Sequence, residues 1–328
     1  MNVMQHGVNC SRYLAALAAG LMAVLPSTVQ AAEDGASRAI EEIVVTARMR
    51  EEGLQSAPIA ISAFTGETLD YRGVEQLDDI DKFVPNLTLE NNPSFGGASN
   101  SAAIYIRGIG QKEFVPTTEP GVGLYVDGVY VARSVGAILD IIDVERLEVL
   151  RGPQGTSFGS NAMAGLIYIK SAAPTEQFEG QVDVSAGNYN AQSTGLVLSG
   201  PLTNQLLGRV AINQNTSDGY IKNNFLMRDD SNNIDELSAR VKLRWTASDD
   251  LNVDFTAVYI DADNGYNAFS LENNRNTRSD EPGHDRQESR ALSLLATWDG
   301  SDRYIFEAQV TAEESNLEYG FDWDWSDF

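Results

Sequence analysis

The sequence is poor in the residues that most often carry catalysis or hold metals. Its 328 residues include one cysteine, Cys10, and two histidines, His6 and His284. A single thiol forms no intrachain disulfide and no cysteine cluster for a metal. Two histidines leave little for acid–base chemistry. We therefore predict no catalytic residue, no metal site and no cofactor.

Positive charge is also scarce. The chain has 23 Lys and Arg against 47 Asp and Glu, a formal net charge of −24 at pH 7. A protein that neutralises phosphates needs a basic patch, so a nucleic-acid-binding role is disfavoured. After residue 26, no apolar run is long enough to cross a bilayer as a helix.

Two glycine-rich stretches look like nucleotide-binding motifs but lack essential residues. The stretch GIGQKE has Glu113 at the position where a dinucleotide fingerprint needs its third glycine. Residues 152–159 lack the Gly-Lys-Ser/Thr of a phosphate loop. Both stretches predict turns, and nothing else in the sequence indicates an enzyme.

The first 31 residues resemble a secretory signal peptide. Arg12 is followed by the apolar run LAALAAGLMAVL, and Val29-Gln30-Ala31 is a small-x-small cleavage pattern. The alternative is a buried N-terminal helix. If the peptide is removed, Cys10 leaves with it and the mature chain has no thiol.

Residues 32–57 predict an N-terminal arm. Within it, residues 40–48 (IEEIVVTAR) form a β-prone segment between polar flanks, with no adjacent strand to pair it. Such a segment can add as an edge strand to the sheet of a partner. The alternative is an ordinary first strand of the next domain.

Residues 58–174 predict a small α+β domain, a mixed sheet with short helices. Short β-branched and aromatic runs alternate with glycine-rich corners. Asp127-Gly128 separates two such runs and predicts a hairpin turn. Thr65 predicts a helix cap, and residues 74–83 and 134–142 have apolar residues at helical spacing. Residues 91–101 and 112–121 predict loops, either passive or ligand-contacting.

Residues 175–328 change to a two-residue periodicity. In LSARVKLRW (237–245), one face is Leu, Ala, Val, Leu and Trp and the other is Ser, Arg, Lys and Arg. We predict seven strands, near residues 180–187, 192–200, 206–216, 236–247, 251–262, 288–299 and 302–318. A soluble β-sandwich would alternate too. However, short and long connections also alternate along the chain, and this favours antiparallel transmembrane β-barrel strands.

Four ordered motifs in the first domain carry a family resemblance. They are IRG (106–108), LYVDGV (124–129), IDVERLEVLRGPQG (142–155) and FGSNAMAG (158–165). Together they resemble the plug domain of TonB-dependent outer-membrane receptors, and with the arm and strands the resemblance covers nearly the whole mature chain. A plugged barrel needs about 22 strands, so the barrel is expected to be incomplete in this chain.

The resemblance implies roles for particular residues. The TonB box, which couples the receptor to its energy source, corresponds to Ile40, Glu41, Glu42, Ile43, Val44, Val45, Thr46 and Ala47. Arg107 and Arg151 are implied to anchor the plug to glutamates of the barrel wall. The plug motif comprises Gly108, Asp127, Gly128, Gly152, Pro153, Gly155, Gly159 and Gly165. Ligand-contacting loop residues would be Asn92, Phe95, Phe114 and Thr117.

The function implied by the resemblance is active uptake of a scarce nutrient, such as a ferric siderophore or other iron complex, across the outer membrane of a Gram-negative bacterium. The expected partners are a TonB-type energy-coupling protein, outer-membrane lipid and a small-molecule ligand, with the arm in the periplasm. Haem, cobalamin, glycans and plant-derived compounds are also carried by such receptors. The alternatives are a ligand-binding protein that does not transport and a truncated, inactive receptor.

Overall fold

A computed structural model describes residues 44–46, 52–74, 76–91, 102–111, 120–131, 143–159, 161–266, 269–281, 283–301 and 303–328. All of them lie within one compact unit, Glu42–Phe328. The predicted signal peptide, the helical segment 134–142 and most of the two predicted loops 91–101 and 112–121 lie outside the described residues.

The elements before residue 175 are short, as the glycine-rich corners predict. In chain order they are β1 (Val44–Val45), β2 (Glu52–Gly53), β3 (Ala60–Thr65), α1 (Gly66–Arg72), a 3-10 helix (Leu77–Phe83), β4 (Leu87–Asn91), β5 (Ala102–Ile106), β6 (Ile109–Gly110), β7 (Val122–Val126), β8 (Val129–Tyr130), β9 (Val144–Arg151), α2 (Gly155–Phe158) and β10 (Gly165–Ser171). We refer to this region as the plug.

The plug is built on a mixed five-stranded sheet in the order β3-β9-β10-β7-β8. Strand β10 pairs antiparallel with β9 and parallel with β7. A second sheet, β4-β5-β6, packs beside it. The predicted hairpin joins β7 to the edge strand β8. In its turn, Asp127 and Gly128 have φ of 49° and 81°, the positive values that a tight two-residue turn requires.

The first helix of the plug begins where its predicted cap lies. Thr65 accepts a hydrogen bond from the Thr68 N–H at 3.3 Å, and α1 ends at Gly73 with φ 65°. Residues 74–83 were expected to be helical, and they form the 3-10 helix from Leu77 to Phe83. Pro85 follows and prevents its continuation.

The five-stranded sheet buries both faces. One face packs against α1, the 3-10 helix and the smaller sheet through an apolar core that includes Leu69, Ile80, Leu147, Val149 and Ile167. The opposite face carries a smaller cluster around Val45, Tyr125, Leu150, Ala162 and Leu166. From Arg146 onward, the even-numbered residues of β9 therefore point away from the main core, since successive strand residues face opposite sides.

Residues 175–328 form a seven-stranded antiparallel sheet, which we call the wall. Its strands, in spatial and chain order, are β11 (Glu179–Ala186), β12 (Gln192–Pro201), β13 (Leu206–Ser217), β15 (Ile234–Ser248), β16 (Leu251–Gly265), β18 (His284–Trp298) and β19 (Phe306–Gly320). Two further strands, β14 (Lys222–Asn223) and β17 (Asn276–Thr277), pair with each other in the long connections. The seven predicted strands are thus present, and several extend further into the long connections than predicted.

The two faces of the wall have opposite character. Val184 is 74% exposed and Val310 is 71% exposed on the outer face. Asn213, Thr256 and Ser293 are buried on the face that meets the plug. A soluble sandwich would bury the apolar face, so this polarity favours strands with a lipid-facing exterior. No helix within the described part of the chain is long and apolar enough to cross a membrane.

Candidate coupling site and plug contacts

The β-prone segment near the N-terminus is paired within its own chain. Val44 and Val45 pair antiparallel with Gly53 and Glu52. The expectation that this segment has no strand to pair with is therefore wrong for its described part. A charged residue followed by glycine has no strand signal, which is why the sequence did not reveal the partner. Residues 40–43 and Ala47 lie outside the described residues.

The described part of the segment is also tied to the plug sheet. Glu148, in the middle of β9, accepts hydrogen bonds from the Thr46 main-chain N–H at 2.8 Å and from the Thr46 hydroxyl at 3.1 Å. The same carboxylate oxygen accepts from Nε of Arg146 at 2.6 Å. We call residues 40–47 the candidate coupling segment.

Within residues 44–46, the described part of this segment, one side chain makes the apolar contact. Val45 is fully buried within the cluster on the second face of the sheet, whereas Val44 points outward. The ring of Tyr125 lies in the same cluster, 5.3 Å from the ring of Phe158. Burial raises the pKa of the Tyr168 hydroxyl, which packs against this cluster and stays uncharged at neutral pH.

Two acidic residues of the plug, whose side chains are almost fully buried, contact basic residues of the wall. The first is Asp143, at the start of β9, with φ of 58°. Its carboxylate accepts from Nε of Arg209 on β13 at 2.9 and 3.0 Å, and from Nη2 of the same guanidinium. The Asp143 carbonyl accepts from Arg240 Nη1 at 3.4 Å. Two-pronged arginine contacts of this type fix orientation as well as charge.

The second is Asp127, in the hairpin turn. Its carboxylate accepts from the Ser171 N–H at 2.9 Å and the Ser171 hydroxyl at 2.5 Å, and it lies 3.5 Å from Lys242 Nζ. Gln309 on β19 donates to the Asp127 carbonyl at 2.9 Å. Burial disfavours the charged form, but Lys242, Arg240 and the Ser171 hydrogen bonds outweigh it, so the pKa of Asp127 is lowered.

The two arginines predicted to anchor the plug have other surroundings. Arg151 donates to the Pro85 carbonyl at 3.2 Å. Arg107 has φ of 55° and its main-chain N–H donates to the Asn86 carbonyl at 2.8 Å. Neither pairs with a wall glutamate among the described residues, and the anchoring roles stay predictions.

The contacts that the structure does contain have the reverse polarity, with acids on the plug and bases on the wall. Their sequence signal was present. Arg240 and Lys242 lie on the polar face of LSARVKLRW, which needed an acidic partner if that face pointed inward.

The motif glycines form the corners that bring these elements together. Gly108, Gly152, Gly159 and Gly165 all have positive φ. At Gly165 the approach is closest, because an added Cβ would lie 2.2 Å from the Leu150 carbonyl oxygen. Pro153 follows Gly152, and Gly155 begins α2. The predicted ligand-contacting residues Asn92, Phe95, Phe114 and Thr117 lie outside the described residues.

The long connections at the far end of the wall fold on one another. Asn223 is buried and donates to the Ser279 carbonyl at 2.8 Å, which links the first long connection to the second. The rings of Phe269 and Trp325 stack at 4.8 Å. The ring of Tyr266 stacks on that of Phe321 at 5.4 Å. The sequence predicted polar loops here. In the structure, contacts between aromatic side chains that are far apart in sequence hold these loops together.

The family model of the TonB-dependent Receptor Plug Domain matches residues 53–166. The chain is 28% identical over 244 residues to the vitamin B12 transporter BtuB of Vibrio vulnificus, covering 72% of this chain and 38% of that protein. It is 27% identical over 310 residues to the ferric enterobactin receptor PirA of Pseudomonas aeruginosa, covering 82% and 40%.

A similar solved structure is that of the ferric yersiniabactin uptake receptor FyuA from Yersinia pestis. The TM-score is 0.72 at 24% identity, covering 80% of this chain and 42% of that chain. The predicted fold class, an α+β plug followed by antiparallel barrel strands, is confirmed. The chain spans about two fifths of the length of these relatives.

Proposed function

We propose that the protein is a TonB-dependent receptor of the Gram-negative outer membrane and that it takes up a scarce nutrient by active transport. The support is the match of residues 53–166 to the plug-domain family and the similarity to the vitamin B12 transporter. The observation that carries this proposal is the plug itself, held against the polar face of the wall by Asp127 and Asp143. The relatives are transporters and receptors rather than enzymes, and no bond is made or broken.

The proposed cargo is a ferric siderophore or other iron complex. The support is the relative described as a ferric enterobactin receptor, and the relative described as a vitamin B12 transporter supports the competing class. Cells that depend on this protein should accumulate radioactive iron from at least one siderophore. If the cells accumulate labelled cobalamin and no iron, the proposed cargo is wrong, but the proposal of active transport still holds.

The proposed energy source is a TonB-type protein that grasps the candidate coupling segment in the periplasm. Strand addition needs the main-chain N–H groups of the segment. Val44→Pro removes one of them, whereas Val44→Ala keeps it. We expect uptake to be abolished by the proline and preserved by the alanine, with ligand binding to whole cells unchanged in both.

The outcome of this experiment also separates transport from binding alone. If uptake persists in Val44→Pro, this segment is not the site to which the energy-coupling protein binds. Ligand that binds to cells and is never accumulated, even without substitution, would make the protein a ligand-binding receptor that does not transport.

A further inference from the structure

Glu148 is a buried carboxylate that takes no part in the contacts between plug and wall. It is 1% exposed and lies between Ala63 of β3 and Tyr168 of β10. Its described partners are Thr46 and Arg146. A carboxylate at such a position is strongly destabilising unless it is paired, so both partners matter to it.

We propose that Glu148 retains the candidate coupling segment on the plug, and that Arg146 is the positioning residue that orients its carboxylate. The inference rests on the proposed coupling role of that segment. Glu148 binds the main-chain N–H of Thr46, and this is the kind of group that a partner strand needs for pairing. Retention by Glu148 and capture by a partner therefore compete for the same part of the segment.

The other contacts of the segment are weak by comparison. Strands β1 and β2 pair over two residues each, and a pairing this short has no stability of its own in water. Val45 adds apolar burial, which is not directional. The charged hydrogen bonds that Glu148 accepts from the Thr46 N–H and the Thr46 hydroxyl are the directional contacts of this part of the segment with the plug sheet.

Release would change the plug as well as the segment. Departure of Val45 uncovers Tyr125, Leu150 and Leu166 on the second face of the sheet. Glu148 also shares β9 with Arg146, and this strand starts beside Asp143, which is bound to Arg209 of the wall. A force on the segment would therefore be transmitted through Glu148 to β9, the strand that follows Asp143 and its ion pair with Arg209 of the wall.

The test measures docking directly, in outer membranes that contain the protein. The only native cysteine is Cys10, so Val45→Cys provides a single, small and buried probe if the signal peptide is removed. We measure its rate of reaction with a water-soluble maleimide. Glu148→Leu should raise the rate roughly tenfold or more, and Glu148→Gln by less, because it keeps a neutral acceptor.

Two matched variants keep the result interpretable. Glu145→Gln removes the same charge from the same strand. Glu145 lies 3.0 Å from Lys170 and 3.8 Å from Arg146 rather than on Thr46, so this substitution should change the rate much less than Glu148→Leu. Thr46→Pro removes both donors of Thr46, the main-chain N–H and the hydroxyl, and leaves Glu148 intact. It should match Glu148→Leu and add nothing to it in the double variant, because both substitutions remove the same pair of hydrogen bonds.

Resistance of the plug to trypsin reports folding separately. A labelling rate that is the same for Val45→Cys alone and for Val45→Cys combined with Glu148→Leu or with Thr46→Pro would overturn the proposal. The proposal would also be wrong if the labelling rate rose only in variants whose plug had lost its resistance to trypsin. Labelling needs neither ligand nor an energy-coupling partner, so a failure of the transport proposal would be seen in uptake and not here.

Discussion

The plug and the wall place their apolar side chains on opposite sides. In the plug, Leu147 and Ile167 are fully buried between two layers. In the wall, Leu292 and Leu294 face outward, and the buried positions are polar, as at Ser293. The plug has an apolar interior, as in a protein surrounded by water, whereas the wall has an apolar outer face and a polar inner face.

The contrast explains the contacts where the two regions meet. A polar wall facing a small domain cannot be joined to it by apolar packing alone, so paired charges hold the two together. The pairs are Asp127 with Lys242 and Asp143 with Arg209. Ion pairs can break and re-form in water, which is compatible with the rearrangement of the plug that the proposed transport would require.

The largest effect should come from breaking one of these pairs. Lys242→Met leaves the Asp127 carboxylate buried without its nearest cation, a loss of about 3–5 kcal/mol in the free energy that holds the plug in place. Urea should then expose the plug to protease at a lower concentration. The double variant Asp127→Asn with Lys242→Met should recover part of this loss, because the hydrogen bonds from Lys242 to Ser171 stay absent in it. A double variant as weak as the single one would contradict the pairing.

The same pair predicts a dependence on pH. The pKa of Asp127 is below the ordinary value, so its ionised form stabilises the folded plug at any pH above the pKa of a free aspartate. This stabilisation is lost as the pH falls through the lowered pKa. In Lys242→Met the pKa rises, so the loss should begin at higher pH. An unchanged acid midpoint for protease exposure would count against this account.

Truncation of the plug core should rank next. Ile167→Ala removes a fully buried side chain and should lower the free energy of unfolding of the plug by about 2–5 kcal/mol. Leu292→Ala on the outer face of the wall is the matched control, since that side chain is already half exposed. Urea denaturation followed by protease sensitivity compares the two. Equal losses would mean that the two regions do not differ as described.

A charge on the outer face tests the reverse polarity of the wall. Leu294→Arg should cost about 2–4 kcal/mol if this residue lies near the middle of the bilayer. The expected result is a lower fraction of protein assembled in the outer membrane, measured by sedimentation. Leu294→Phe keeps the position apolar and should assemble normally. Normal assembly of the arginine variant would show that this face of the wall does not contact lipid.

Much of this organisation follows from local sequence patterns. The two-residue period predicted the wall, and the positive-φ preference of Asp127-Gly128 predicted the hairpin. Thr65 predicted the start of α1. Each of these signals operates within a few residues, and for that reason it can be read from one sequence.

The contacts that matter for the site could not be read in this way. Thr46 and Glu148 are 102 residues apart, and Asp143 and Arg209 are 66 apart. Nothing local marks such pairs, because each member alone looks like a solvated charge or a strand residue. The partner strand of Val44 and Val45 was missed for a related reason, since Glu52 and Gly53 carry no strand preference.

The smallest expected effect concerns a cap. Thr65→Ala removes the acceptor for the Thr68 N–H at the start of α1 and should lower the stability of the plug by about 1 kcal/mol. Thr65→Ser keeps the oxygen and should cost less. On the wall, Thr246 donates to Asn252 in an exposed position, so Thr246→Ala should change stability by less than about 0.5 kcal/mol. Urea midpoints for protease exposure measure both substitutions. If they were equal, hydrogen bonds of the plug and of the wall surface would contribute alike, and the difference between the regions would lie in packing alone.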